Sequence, residues 1–273
     1  MNYKIVSSDL DGTLLNNQME VSDENRFAVK QYTDGGGVFV PNSGRSLGEM
    51  PRAVKEMPGV RFLICSDGAD IYDKATDTRI SLTMTKEEKD RVLAILGDYE
   101  NFVTVHYRGN SYLDAARYDE ATMRYNNVND YFRIHFEETN FPTENFADFC
   151  ASLADAEMIC AFFHSREELE ACRARLEDAG LVVAASDSYN VEVFAPRAGK
   201  GNALLRLAEH LGVAREETIA VGDSINDLSM IGAAGLGLAM GNARDAVKAA
   251  ASAVACRNDE HIMPYLLRTY IEM

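Results

Sequence analysis

Two carboxylates stand two residues apart, directly after a short apolar segment near the start of the chain. They are Asp9 and Asp11, followed by Gly12, and the apolar segment before them is Tyr3–Ser8. If that segment is a strand, residues i and i+2 project to the same side, so both carboxylates face the same space. Gly12 lets the backbone bend closely around a bound group. This arrangement suits a magnesium ion and a phosphate group.

A second acidic cluster lies far along the chain, again after an apolar segment. The segment Thr218–Val221 runs into Gly222, Asp223, Ser224, Ile225, Asn226 and Asp227. Asp and Gly at one strand end mark a turn in most proteins, and Asn226 with Asp227 would also suit a helix N-terminus. Two distant acidic strand ends in one chain favour one shared site, in which Asp227 could support a metal indirectly.

Candidate phosphate-binding groups follow two further elements. Ser43 and the Gly44 amide come at the end of the apolar segment Val38–Val40, and Lys200 begins a predicted helix whose free amides attract anions. Taken singly, Ser43 with Gly44 would more often be a turn, and Lys200 a solvated cation. Together with both acidic clusters, they predict donors arranged around a transferred phosphoryl group.

The chemistry that fits these residues is phosphoryl transfer through a carboxylate. Magnesium prefers carboxylate and carbonyl oxygens, whereas zinc would favour His or Cys, and none of the five histidines lies near these strand ends. We expect Asp9 to attack phosphorus and form an acyl phosphate that water hydrolyses. Asp11 then protonates the leaving alkoxide and deprotonates the water. The predicted metal site comprises Asp9, the main chain of Asp11 and Asp223, with Asp227 as an indirect support.

Composition limits the class of protein and its partners. Of 273 residues, 47% are apolar and 26% charged, which is typical of a soluble globular protein of one large or two unequal domains. The net charge of −16 argues against a nucleic-acid backbone or an anionic membrane as partner. A small phosphate ester is the expected partner, and the oligomeric state stays open.

Cysteine usage and hydropathy predict the compartment. The five cysteines are odd in number, lack C-x-x-C spacing and sit in apolar runs, so we expect buried thiols in a reducing compartment. No apolar run approaches the ~20 residues that span a bilayer. The first strand begins within a few residues of Met1, which leaves no room for a signal peptide. We therefore expect a cytoplasmic protein.

The order of apolar segments predicts an α/β fold with an insertion. Continuous apolar strands at Lys4–Ser8, Val38–Val40 and Phe62–Cys65 alternate with helical patterns, including a helix that begins near Ser22 and ends at Gly35. Such strands are typical of a parallel sheet covered on both faces, with ligands beyond the carboxyl ends. We predict a Rossmann-like doubly wound parallel core comprising residues 1–81 and 187–273.

Residues 82–186 have a different character and predict an inserted α+β cap domain. Polar and apolar residues alternate in predicted strands at Phe102–Tyr107, Tyr131–Phe136 and Met158–His164, as in an antiparallel sheet with one solvated face. Capping boxes at Thr85-x-x-Glu88 and Ser165-x-x-Glu168 predict helix starts. The alternation of strands and helices that is typical of the core is predicted to resume at Asn190–Phe194.

With its clusters in this order, the chain resembles the haloacid dehalogenase-like (HAD) superfamily of phosphohydrolases. Within it, the chain is similar to the Cof-type subfamily, whose cap is inserted between the second and third motifs. The motifs that carry the resemblance are Asp9-x-Asp11-Gly12-Thr13, Ser43-Gly44-Arg45, Lys200-Gly201, Gly222-Asp223-x-x-Asn226-Asp227 and Ala239-Met240-Gly241-Asn242-Ala243.

The resemblance implies a Rossmann-like core, Mg²⁺ dependence, Asp9 as nucleophile and Asp11 as general acid and base. It places Asp223 and Asp227 around the metal. The residues expected to bind substrate are Gly12, Ser43, Gly44, Lys200 and Asn226. The chain departs from the usual pattern at Ser43 (commonly Thr), at Asp67 (commonly Asn before Gly-Ala), at Ser224 (often Asn) and at Asn258–Ile262 (usually containing Asp-Gly-Val).

The leading hypothesis is a magnesium-dependent phosphatase acting on a small phosphorylated metabolite such as a sugar phosphate, with the cap closing to exclude water. One alternative is a phosphomutase or phosphotransferase with the same acyl-phosphate chemistry, which a sugar bisphosphate would reveal by yielding an isomerised monophosphate. Another is a non-catalytic phosphate-binding module, which would bind magnesium and phosphate without turnover.

Overall fold

The computed structural model describes residues 1–272, except the side chains of Tyr131 and His135. In chain order the strands are β1 (Ile5–Ser8), β2 (Val38–Pro41), β3 (Phe62–Cys65), β4 (Asp70–Asp73), β5 (Thr78–Ser81), β6 (Met84–Thr85), β7 (Asn101–Tyr107), β8 (Asn110–Asp114), β9 (Asn140–Thr143), β10 (Asp155–Ala156), β11 (Met158–Phe163), β12 (Val182–Ala184), β13 (Asn190–Phe194), β14 (Thr218–Gly222), β15 (Leu236–Ala239) and β16 (Ala253–Val254). The α-helices are α1 (Asp23–Asp34), α2 (Arg52–Lys55), α3 (Lys86–Leu96), α4 (Glu120–Tyr125), α5 (Asp130–Thr139), α6 (Phe146–Ser152), α7 (Arg166–Asp178), α8 (Lys200–Leu211), α9 (Leu228–Ala233), α10 (Asp245–Ala250) and α11 (Ile262–Thr269).

The chain divides into two compact units. The first comprises Met1–Ser43, Met50–Ile80 and the chain from Gly199 onward, and the second comprises Gly44–Glu49 and Ser81–Ala198. Each unit has its own apolar core. Among the helices that the structure describes, none is long and apolar enough to cross a bilayer.

A parallel sheet forms the centre of the first unit. Its strand order is β16-β15-β14-β1-β2, and every neighbouring pair is parallel. Side chains on one face, among them Ile5 and Val40, pack with α8 and α9. Val6 and Phe39 alternate with them, so they point to the opposite face, and they are equally buried. Burial of both faces confirms the predicted Rossmann-like sheet.

The third predicted strand lies beside this sheet rather than within it. β3 pairs antiparallel with β4 and belongs to a three-stranded sheet of order β3-β4-β5. A parallel bridge between Asn42 and Ile64 joins β3 to the end of β2. The carboxyl end of β3 therefore still lies beside that of β2.

The second unit is built on a mostly antiparallel sheet, of order β12-β13-β11-β7-β8-β9. The β8 and β9 pair alone is parallel among these described ladders. Helices α3 and α7 pack over one face of the sheet, where Val105, Ile159 and Phe163 belong to the core. The Thr85 capping box at the start of α3 is present, and at α7 the Ser165 hydroxyl accepts from the Glu168 amide.

Residues 131–136, predicted as a strand, lie in helix α5. The Asn129 side chain caps this helix by accepting from the amide of Phe132. Phe132 and Phe136, four residues apart, bring their ring centroids to 5.9 Å, and both rings pack on Phe162. The segment contains polar residues between aromatic ones, but its aromatic spacing is that of a helix face.

The strand Asn190–Phe194 also differs from its predicted place in the parallel core. It pairs antiparallel with β11, with Ile159 opposite Val193, and lies in the second unit. All five of its residues are buried. Asn190 and Glu192 alternate with Val191 and Val193, a pattern that suits an antiparallel strand, but these polar side chains are buried rather than solvated.

Candidate functional site

The first acidic pair follows β1, an interior strand of the parallel sheet. β1 is hydrogen-bonded on both sides, and the Asp9 amide continues the ladder by donating to the Val221 carbonyl at 3.0 Å. Beyond Asp9 the chain turns sharply through Gly12, whose φ of +78° is unfavourable for other residues. This turn holds Asp9 at the carboxyl edge of the sheet, 6% exposed. Burial is the main cause that raises the pKa of Asp9, and the nearby Asp11 carboxylate adds a smaller contribution.

The second acidic cluster forms a tight turn after β14, the strand beside β1. The Asp227 Oδ2 atom accepts from the amides of Asp223 and Ser224, both at 2.9 Å. A Cβ at Gly222 would lie 2.4 Å from the Asp227 Cγ, so only glycine allows the carboxylate to approach so closely. Asp227 therefore shapes the loop that presents Asp223.

Lys200 connects the two clusters. Its Nζ atom donates to Asp9 Oδ1 and to Asp227 Oδ1, each at 2.7 Å. The residue begins α8, and helix α8 reaches this position by packing tightly on α9: a Cβ at Gly201 would lie 2.3 Å from the Ser229 carbonyl oxygen. Burial lowers the pKa of Lys200, but the carboxylates of Asp227 and Asp9 outweigh it and raise the pKa well above its ordinary value. Lys200 is thus a buried cation.

Asp9, Asp223 and Asp227 can each direct one oxygen to a common point, since these oxygens lie within 4.8 Å of one another. Burial, reinforced by the Asp227 carboxylate, raises the pKa of Asp9 well above its ordinary value and that of Asp223 to about 6. One lysine leaves this carboxylate cluster with excess negative charge. An all-oxygen, negatively charged donor set fits Mg²⁺.

The oxygens of Asp227 are committed to protein donors: Oδ1 accepts from Lys200, and Oδ2 from two backbone amides. The Asp223 carboxylate accepts only longer hydrogen bonds, from Thr13 at 3.3 Å and Ser224 at 3.4 Å. Asp9 and Asp223 are therefore the better direct ligands, and Asp227 suits an indirect role.

Ser43 and the loop after β3 are joined by backbone hydrogen bonds. The Ser43 amide donates to the Ile64 carbonyl at 3.0 Å, and its carbonyl accepts from the Asp67 amide at 3.1 Å. Asn226 reaches the same loop, because its Nδ2 atom donates to Asp67 Oδ1 at 3.3 Å. Gly44, the predicted neighbour of Ser43 in phosphate binding, is grouped with the second unit.

Several side chains in the site were not assigned a role from sequence. Asn42 Nδ2 donates to the Lys200 carbonyl at 3.0 Å, and Asn242 Nδ2 donates to the Gly12 carbonyl at 2.7 Å. Asp67 is buried and carries a φ of +48°. The sequence signal at Asp67 is an Asp-Gly pair after an apolar segment, a pattern that a plain turn explains nearly as well.

The comparison with known proteins identifies the family of the chain. The model of the haloacid dehalogenase-like hydrolase family matches residues 6–264. Because the match covers most of the chain, the protein belongs to this family, as its motifs predicted.

Relatives identify the kind of hydrolase. The chain is 32% identical to Phosphatase YwpJ of Bacillus subtilis (strain 168), covering 97% of this chain and 99% of that one. It is 30% identical to 5-amino-6-(5-phospho-D-ribitylamino)uracil phosphatase YcsE of the same organism, over 99% and 97% of the two chains. A solved haloacid dehalogenase-like hydrolase from B. subtilis superposes with a TM-score of 0.83 at 31% identity, covering 98% and 100%. The protein is a phosphatase of this family.

Proposed function

We propose that the protein is a Mg²⁺-dependent phosphatase that hydrolyses a small phosphorylated metabolite through a phosphoryl group carried on Asp9. The observation that supports this most directly is the position of Asp9. Its carboxylate is buried, is bonded to Lys200 and shares a potential cation site with Asp223. A carboxylate held in this way is a suitable nucleophile toward phosphorus.

The proposed reaction has two steps. An Asp9 oxygen forms a bond to phosphorus while the bond from phosphorus to the ester oxygen breaks, and Asp11 gives its proton to the departing alkoxide. Asp11 then takes a proton from a water whose oxygen attacks phosphorus, and the bond to Asp9 breaks. Inorganic phosphate leaves, and both carboxyl groups return to their starting states.

The remaining residues supply charge and position. Lys200 keeps a positive charge beside Asp9. The Ser43 hydroxyl would bind the phosphoryl group, and Gly12 would allow the backbone to approach it closely. When bound by Asp9, the main chain of Asp11 and Asp223, Mg²⁺ would offset the negative charge of the carboxylates and the substrate. Asp227 keeps Lys200 and the Asp223 loop in place.

We propose a sugar phosphate or a similar polyhydroxylated phosphate ester as the substrate class. The named substrate of the YcsE relative, a phosphorylated ribitylamino compound, is of this kind. We further propose that the second unit, Gly44–Glu49 and Ser81–Ala198, forms the cap that selects among such esters, and that the protein acts in the cytoplasm. Five free cysteines, four of them buried, are consistent with a reducing compartment.

The test is hydrolysis of a generic aryl phosphate, such as p-nitrophenyl phosphate, with and without MgCl₂. Wild-type protein should release phosphate, a chelator should stop it, and magnesium should restore it. Asp9→Asn should lower kcat by about 10³-fold or more, because the amide is not a nucleophile.

The matched control is Asp34→Asn, which makes the same change at an exposed residue at the end of α1. This variant should keep wild-type kcat. Equal rates in the Asp9→Asn variant and the wild type would show that Asp9 does not carry the phosphoryl group.

A further inference from the structure

The loop after β3 is seated among the elements of the site. Asp67 is 1% exposed, and its amide donates to the Ser43 carbonyl at 3.1 Å. At the next residue, a Cβ on Gly68 would lie 2.4 Å from the Gly199 carbonyl oxygen, just before Lys200. The loop therefore has little freedom to move relative to Ser43 or to the start of α8. The Asp67 carboxylate is therefore held in a fixed position.

One partner of that carboxylate is the side-chain amide of Asn226. The Nδ2 atom of Asn226 donates to Asp67 Oδ1 at 3.3 Å. An ionised carboxylate can only accept hydrogen bonds, so it selects the nitrogen end of the amide and excludes the oxygen end. Asp67 is also one of the carboxylates whose charge acts on Lys200. Asn226 must then turn its Oδ1 atom away from Asp67.

We infer that Asp67 is a positioning residue that fixes the amide orientation of Asn226, so that Asn226 offers the site a hydrogen-bond acceptor. The Asn226 Oδ1 atom would accept a hydrogen bond from a water molecule or a substrate hydroxyl. Without Asp67, the amide could rotate and donate to a phosphate oxygen instead. The inference rests on the proposed function, because it concerns the same phosphoryl-transfer site. It narrows the role expected for Asn226, substrate binding, to that of a hydrogen-bond acceptor.

A double-mutant cycle separates the two roles. Asn226→Asp alone places two carboxylates opposite each other, so it should lower kcat/KM at least about tenfold and lower the urea midpoint of the metal-free protein. Adding Asp67→Asn restores one donor and one acceptor, with the donor now at position 67. Because Asp at position 226 still accepts, the double variant should return to within about threefold of wild-type kcat/KM and recover the urea midpoint.

The control pairs Asn226→Asp with Asp77→Asn. Asp77 also has a left-handed backbone, with φ of +54°, but lies in an exposed turn and accepts from Tyr72. The double variant that combines Asn226→Asp with Asp77→Asn should recover neither kcat/KM nor the urea midpoint. Asp77→Asn alone should have wild-type activity.

Recovery of both activity and midpoint by Asp67→Asn supports the inference. Recovery of the midpoint without activity would overturn the acceptor role, because a residue needed as a donor cannot be replaced by Asp. Recovery of neither would show that the two side chains are not coupled. Wild-type protein without phosphatase activity would instead refute the proposed function, and the urea midpoints would still measure the coupling.

Discussion

Lys200 places one positive charge between carboxylates from two loops that are distant in sequence. Lys200 donates to Asp9 and Asp227, so the nucleophile proposed for the reaction and the residue that shapes the Asp223 loop share one cation. A buried lysine so close to two carboxylates stays protonated. Its positive charge therefore favours the charged form of the Asp9 carboxylate, next to the anionic phosphoryl group of the proposed reaction.

Gly12 brings the first acidic loop against the second. Its φ is +78°, and a Cβ there would lie 2.7 Å from Asp223 Oδ2. Gly12→Ala should therefore displace the Asp223 carboxylate as well as strain the backbone. We expect kcat/KM to fall by about 10- to 100-fold and the Mg²⁺ concentration for half-maximal activity to rise, measured by titration with MgCl₂.

Gly36→Ala is the matched control for Gly12→Ala. Gly36 also has a positive φ, of +92°, but a Cβ there meets nothing within 4 Å. It should cost about 1 kcal/mol of stability through the same kind of strain, with unchanged magnesium dependence. An identical loss of activity in both variants would mean that strain, rather than contact with Asp223, causes the effect.

At the level of elements, the parallel strands determine where the site lies. β1, β2 and β14 run side by side and end at the same edge, so residues from positions 9, 43 and 223 follow neighbouring strand ends. Each chain segment then needs only a short turn to present its side chain. The antiparallel β3–β4 hairpin adds the Asp67 loop at the neighbouring position.

That hairpin is closed by an ion pair whose contribution depends on pH. Arg61 donates to both oxygens of Asp73, at 2.9 and 2.7 Å, which lowers the pKa of Asp73 from its ordinary value of 3.8. A lowered folded-state pKa stabilises the fold above the unfolded value, and this stabilisation is lost as the pH falls below it. Asp73→Asn should cost about 1 kcal/mol at pH 7, since Arg61 is half exposed.

Denaturant unfolding of the wild type and Asp73→Asn at several pH values measures this effect. The difference in unfolding free energy should be constant near neutral pH and shrink as the pH falls from about 4 towards 2. Asp34→Asn, which removes an exposed pair with Lys30, should show a much smaller difference throughout. A difference for Asp73→Asn that stays the same down to pH 2 would exclude the ion pair as its cause.

At the level of the whole molecule, two separate apolar cores lie on one chain. Leu207 belongs to the core of the first unit and Leu176 to that of the second, and both are fully buried. Leu207→Ala should destabilise the first unit by about 2–5 kcal/mol. Hydrogen exchange should then rise in β1 and β14 more than in β7 and β11.

Leu176→Ala provides the reverse comparison. It should raise exchange in β7 and β11 more than in β1 and β14, because its lost contacts lie in the second core. Equal increases in both units from either variant would show that the two cores unfold as one cooperative structure.

Local sequence patterns predicted correctly those elements that depend on a few neighbouring residues. Apolar strands followed by Asp9 and Asp223 predicted a shared acidic site, since parallel strands end at a common edge. The helix start at Ser22 and the capping box at Thr85 are also present, because caps depend on a few neighbouring residues. The family and the class of enzyme followed from the order of the motifs.

Partners distant in sequence could be identified only from the tertiary structure. Asn190–Phe194 is a strand as predicted, but pairing with β11 decides its sheet. Residues 131–136 lie in a helix, in which the rings of Phe132 and Phe136 both pack on Phe162.

By itself, the sequence determined the parallel core, the acidic strand ends and the chemistry to expect from two carboxylates. Tertiary structure decided that Lys200 bridges Asp9 and Asp227, and that Asp67 faces Asn226. Backbone periodicity and turn chemistry act over a few residues, whereas these contacts join residues from 27 to 191 positions apart. Their geometry depends on how strands and helices pack, which no local pattern encodes.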